Sequence, residues 1–127
     1  MEKFRFMDSE GKNIYVYKWA PKEEDIKGVI QIAHGMTETA LRYSYFAEKL
    51  NDAGFVVYAN DHRGHGNTAC TKEELGYIAD EDGFHWMVED LKELTDIIKM
   101  QYQQQQYYIK IKKLLYFKSK IYTTLWR

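Results

Sequence analysis

The chain has 127 residues, 45% of them apolar, and a formal net charge of −1. That length holds one domain at most, and the apolar fraction excludes a chain disordered by composition. One cysteine, Cys70, excludes an internal disulfide. The opening MEKFRFMDSEGK lacks the apolar core of a signal peptide, and no stretch reaches the ~18 unbroken apolar residues of a membrane helix, so a soluble, cytoplasmic protein is the expectation.

Taken in order, Phe4-Arg5-Phe6 alternates, Asp8-Ser9-Glu10-Gly11 is turn material, and Ile14 to Trp19 is rich in strand formers, which predicts an antiparallel hairpin. Pro21 to Asp25 reads as a solvated turn. The run Val29-Ile30-Gln31-Ile32-Ala33 is apolar almost throughout, as a strand covered on both faces should be, and ends in His34-Gly35. From Thr39 to Ala53, Tyr43, Phe46, Ala47 and Leu50 fall on one helix face, with Gly54 placed as a left-handed cap. A second apolar run, Phe55 to Ala59, ends in Asp61-His62-Arg63-Gly64-His65-Gly66. This is a βαβ unit with polar loops at the carboxyl ends of its strands, where open α/β sheets place ligands and chemistry.

Residues 67–83 form a polar connection. The acids Asp80-Glu81-Asp82 suit the amino end of a following helix, whose apolar face is Phe84, Met87, Val88, Leu91, Leu94, Ile97 and Ile98. Beyond Met100 the composition changes. Up to Gln101 the chain holds 12 basic and 19 acidic residues; beyond it lie six basic residues and no acid, glycine, alanine or proline. Tyr108 to Lys112 alternates as a short strand would, and Lys112 to Ile121 fits a helix equally well. The expected organisation is therefore residues 1–101 as a portion of one globular domain and 102–127 as a divergent basic tail.

The motifs His34-Gly35-Met36-x-Glu38, Arg42-Tyr43, Ala53-Gly54-Phe55-x-Val57-Tyr58, Asp61-His62-Arg63-Gly64-His65-Gly66, Gly76-Tyr77 to Asp82-Gly83, and Val88-x-Asp90-Leu91 together resemble the amino-terminal part of an α/β-hydrolase of the monoacylglycerol lipase and lysophospholipase group, also called serine aminopeptidase-like. The resemblance implies an α/β fold, as an incomplete α/β-hydrolase sheet, and a serine carboxylic-ester hydrolase acting on a lipid-like ester. It makes His34-Gly35-Met36 the oxyanion loop, with the Met36 backbone N–H as donor. A preorganised donor of this kind stabilises the tetrahedral intermediate by about 3 kcal/mol.

His62 and His65 flank a turn and Asp61 adds a carboxylate, which suggests metal ligands, but the set is incomplete and sits on a glycine-rich loop. We expect neither metal nor cofactor. Instead Asp61 and Arg63 are expected to tie the loop down by charge-assisted hydrogen bonds, with Gly64 and Gly66 permitting its sharp backbone.

The nucleophile of such an enzyme sits on a G-x-S-x-G elbow after the fifth strand. The resemblance places that strand near Tyr107 to Lys110 and the elbow at Ile111 to Leu115, where the chain reads IKKLL. Ser9, Ser44 and Ser119 are the three serines, and none lies on an elbow; no glycine follows Gly83. No histidine here matches the family's catalytic base. No catalytic residue is assigned, and the chain is expected to be inactive alone. A frameshift near Met100 would account for the altered composition and is the expected origin of the tail. The alternative is a non-enzymatic interaction protein that uses its basic, aromatic tail on a membrane surface; a second polypeptide supplying the serine half is a third reading. Nucleic acid is not an expected partner. Loss of the fifth strand would expose the apolar edge of Val29 to Ala33 and lower solubility, unless the tail pairs with it.

Overall fold

The computed structural model describes residues 1–22, 25–103 and 105–111, the last five as backbone. The basic tail from residue 112, with Ser119 and the second half of the Ile111–Leu115 segment, lies outside the described residues. Five strands form one mixed sheet: β1 (Glu2–Met7), β2 (Asn13–Trp19), β3 (Gly28–Ala33), β4 (Phe55–Asn60) and β5 (Tyr107–Ile111). Their spatial order is β1-β2-β4-β3-β5. The β1–β2 hairpin is antiparallel and joins β4 antiparallel, while β3 runs parallel to both β4 and β5.

Helix α1 (Ser44–Asp52) and helix α2 (Gly83–Gln101) cover opposite faces, and the strand period of two divides the core between them. On the α1 side lie Tyr17, Trp19, Ile32, Val57 and Ala59, with Ala40 and Ala47. On the α2 side lie Val16, Val29, Val56 and Tyr58, with Leu94 and Ile98. Burial on both faces is why β3 and β4 read as largely apolar runs. The polar residue within β3, Gln31, is buried beneath α2. Its Nε2 donates to the Leu91 carbonyl at 3.0 Å, and its Oε1 accepts from Thr95 Oγ1 at 2.8 Å.

The continuous helix expected from Thr39 is divided into a 3-10 turn, Ala40–Tyr43, and then α1. The reason is a tertiary bond. The Ala40 N–H is drawn to Asp61 Oδ1 at 2.8 Å, which fixes the first turn against the loop after β4. Gly54 closes α1 at φ +95°, and its N–H donates to the Asn51 carbonyl at 2.8 Å. A left-handed residue there favours glycine.

Strand β5 covers the edge of β3 in register, from Val29 opposite Tyr107 to Ala33 opposite Ile111. Of the two outcomes expected for that edge, pairing by the tail is the one observed. The Val29 N–H donates to the Gln106 carbonyl at 2.9 Å. The evenly spaced parallel ladder then turns the Tyr108 N–H toward β3. Tyr108→Pro should remove that donor and open the edge. We expect a smaller soluble fraction and a higher-mass species on size-exclusion chromatography. An unchanged monomer peak and melting temperature would mean that β5 does not protect the sheet.

Candidate oxyanion site

Two loops leave the carboxyl ends of the parallel strands: residues 34–39 after β3 and residues 61–66 after β4. They are stitched together by side chains. The His34 and His62 rings are buried with centroids 4.1 Å apart, and His65 stands 5.2 Å from His34. The His62 N–H donates to His34 Nε2 at 3.0 Å. That leaves the His34 proton on Nδ1, facing the Gly35 carbonyl at 2.7 Å. In return, His62 Nε2 faces the His34 carbonyl at 3.0 Å. Burial lowers the pKa of His34, and that of His62 is lowered to about 3 by burial first and by its histidine neighbours second. Both rings are neutral at physiological pH.

On the outer side of the first loop, Glu38 acts as a clasp. Its Oε2 accepts from the Gly35 N–H at 3.1 Å and the Tyr43 hydroxyl at 2.6 Å, and Arg42 lies 3.6 Å from Oε1. The Glu38 N–H also donates to the Gly35 carbonyl at 3.1 Å. That carbonyl, bonded by both His34 and Glu38, fixes the plane of the Gly35–Met36 peptide. Because a trans peptide points N–H and C=O in opposite directions, the Met36 N–H is turned away from both. It donates to no acceptor among the described residues. The Met36 side chain beside it is 57% exposed.

The second loop is anchored by Arg63 and Asp61, but not to each other. Arg63 is 1% exposed, and its guanidinium meets Asp90 at 2.8 and 3.2 Å, Asp8 and Glu10. The Trp86 ring lies 5.4 Å from its centre, within cation–π range. Asp61 instead accepts neutral donors: Ala40 N–H at 2.8 Å, Asn67 N–H at 2.9 Å and the Tyr17 hydroxyl at 3.1 Å. Burial, and then the nearby Asp61, push the Tyr17 phenol up to about 12. Gly64 and Gly66 both have positive φ, +71° and +48°. A Cβ at Gly66 would run into the Asp61 carboxylate, and one at Gly64 into the Tyr77 backbone. The sharp backbone therefore needs glycine at both positions.

The structure thus brings His34, Gly35, Met36, Asp61, Arg63, Gly64 and Gly66 into one pair of contacting loops. Sequence reasoning missed the partners of Arg63. Asp8 and Glu10 read as turn residues, yet Asp90 carried a signal, because it falls on the apolar face of α2 between Met87 and Leu94. A carboxylate on a buried face needs a partner. The carbonyl contacts of His62 and His65, and the clasp at Glu38, were also missed. Among the described residues no group of three or more His, Cys, Asp or Glu side chains is arranged to hold an ion. Ser9 lies in the hairpin turn, and Ser44 opens α1 with its Oγ donating to the Leu41 carbonyl at 2.8 Å. Cys70 is exposed on the loop beyond.

A family model described as serine aminopeptidase, S33, matches residues 24–110. Monoacylglycerol lipase of Mycolicibacterium smegmatis is 37% identical over 87 residues, which are 68% of this chain and 29% of that protein. Human monoglyceride lipase is 28% identical over 96 residues, 76% of this chain and 29% of that protein. The chain therefore spans about three-tenths of the length of these curated relatives. The crystal structure of a thermostable carboxyl esterase from Bacillus coagulans, in complex with glycerol, superposes with a TM-score of 0.77 at 34% identity, covering 85% of this chain and 34% of that one. A soluble variant of monoglyceride lipase from Saccharomyces cerevisiae shares the fold at a TM-score of 0.68 and 17% identity, over 80% of this chain and 32% of that one.

The Arg63 cluster generates a pH prediction. Burial first, and Asp8 as a close neighbour, push the Asp90 carboxyl up to about 7, although Arg63 pulls the other way. The folded chain therefore keeps a proton that the unfolded chain releases near its ordinary 3.8. The stability this group contributes is full below that value and is lost as pH rises through about 7. His62 runs in the opposite sense: its contribution is full above its ordinary 6.5 and is lost as pH falls toward 3. Asp90→Asn should remove the alkaline loss alone. From about pH 5 to about pH 8 the urea midpoint should change more favourably in Asp90→Asn than in wild type, where the Asp90 loss offsets the His62 gain; an equal change in the two would mean that Asp90 makes no such contribution.

Proposed function

Because the chain belongs to the serine aminopeptidase S33 family of α/β-hydrolases, we propose that it is the oxyanion-loop portion of a carboxylic-ester hydrolase acting on lipid-like esters of the monoacylglycerol type. The observation that carries this reading is the Gly35–Met36 peptide. Its carbonyl is held from two sides, and its N–H is left without an acceptor among the described residues. Such a donor is set before reaction and needs no reorganisation when negative charge develops on a carbonyl oxygen. The names of the similar proteins support a lipid ester as the substrate class.

By the same reading the chain does not turn over esters alone. Ester hydrolysis of this type needs a nucleophile activated by a base, and a polarising donor cannot replace either. Ser44 is engaged with the Leu41 carbonyl, and Ser9 lies in the hairpin turn, far along the chain from the end of β5. His34 and His62 are buried and occupied with backbone groups.

The test has two arms. The purified chain should hydrolyse p-nitrophenyl butyrate no faster than buffer and take up no fluorophosphonate label; labelling at a serine would overturn the inactivity. Residues 24–110 should then be grafted in place of the matching segment of the Mycolicibacterium lipase. An active graft whose kcat falls by about 10²–10³ on Met36→Pro would support the donor assignment. An equally active Met36→Pro graft would end it.

A further inference from the structure

The histidines of the second loop have no part in the chemistry proposed above, yet each is aimed at the first loop. Three consecutive carbonyls are involved. His62 Nε2 faces the His34 carbonyl at 3.0 Å, His34 Nδ1 faces the Gly35 carbonyl at 2.7 Å, and His65 Nε2 meets the Met36 carbonyl. We propose that His62 and His65 are positioning residues, whose imidazole N–H groups, together with that of His34, hold all three carbonyls of His34-Gly35-Met36 on one side and so aim the Met36 N–H to the other. This rests on the assignment of Met36 as the oxyanion donor.

The tautomers follow from the partners. His34 Nε2 accepts from the His62 N–H, so its proton lies on Nδ1, toward the Gly35 carbonyl. The Nδ1 of His62 is buried without a partner among the described residues, so its proton lies on Nε2, toward the His34 carbonyl. Each ring therefore has its donor where the loop needs one. His65 has a carbonyl at each ring nitrogen, that of Arg63 2.8 Å from Nδ1 and that of Met36 at Nε2. A neutral ring donates to one of them, and the proposal places that proton on Nε2, toward Met36.

Peptide geometry converts these contacts into aim. Rotation of the Gly35–Met36 plane would break the His34 and Glu38 bonds to the Gly35 carbonyl. Rotation of the next plane would break the bond from His65. The Gly35 N–H is taken by Glu38, so the N–H groups of Met36 and Thr37 are the two in this turn with no acceptor among the described residues.

His65 provides the test because it is only partly buried, so its replacement should leave the fold intact. His65→Leu keeps bulk and removes the donor, whereas His65→Gln places an amide N–H near the position of Nε2. Amide spectra of the intact, isotopically labelled chain should show the Met36 and Thr37 resonances displaced in His65→Leu and returned toward wild type in His65→Gln, with β4 resonances unchanged in both. Unmoved Met36 and Thr37 resonances in His65→Leu, or equal displacement in the two variants, would overturn the proposal. Displacement of β4 resonances in His65→Leu, without recovery in His65→Gln, would also overturn it by marking a general packing role. The spectra read loop geometry without reference to catalysis. A failure here is thus distinct from a failure of the Met36 graft.

Discussion

A guanidinium with 1% of its surface exposed can remain inside a protein only if its charge is balanced and its N–H donors are met. Arg63 satisfies both conditions with acidic side chains that come from elsewhere in the chain. Asp8 and Glu10 arrive from the β1–β2 turn, and Asp90 from α2. Burial alone would disfavour the cation, but the three acids outweigh it and raise its pKa further. Asp8 is itself oriented by the amides of Glu10 and Lys12, at 2.9 and 2.8 Å. One side chain of the second loop therefore joins the hairpin, the loop and the helix. Its neighbours in the loop, His62 and His65, reach the first loop from a backbone that Arg63 helps to fix.

Asp61 is the complementary anchor on the other face. It gathers Ala40, Asn67 and Tyr17, while its own carbonyl accepts from Thr68 Oγ1 at 2.7 Å, and that hydroxyl in turn accepts from the Tyr15 N–H at 2.9 Å. The start of the α1 segment, the second loop and strand β2 are thereby held to one carboxylate. A network with every member bonded is rigid. With one member removed, it leaves a buried group unpaired, which is why such networks favour a single geometry.

The strands, the two helices and the βαβ unit were legible in the sequence because they depend on periodicity. Val29 to Ala33 and Phe55 to Ala59 read as strands covered on both sides, and the spacing from Phe84 to Ile98 reads as one face of a helix. The ion-pair cluster was less legible because Arg63 is 55 residues from Asp8 and 27 from Asp90, and turn chemistry already accounted for the acids of the hairpin. Asp90, out of place on an apolar helix face, was the available clue. The histidine contacts were hidden for a different reason. Their partners are backbone carbonyls, which every residue possesses and no sequence pattern marks. Strand β5 alternates too weakly to stand on its pattern alone, and resemblance placed it.

The geometry of the donor loop does not depend on a nucleophile. His34 and His62 are buried, and each unpaired buried polar group costs about 1–3 kcal/mol; folding therefore favours the arrangement in which their N–H groups meet the carbonyls of His34 and Gly35. The glycine at position 35 contributes to the same end, since a Cβ there would press against the Glu38 carboxylate that closes the turn. Once those carbonyls are fixed, the aim of the Met36 N–H follows from peptide planarity and requires nothing further. The backbone arrangement on which the proposed donor role rests is thus a consequence of how the two loops satisfy their buried groups.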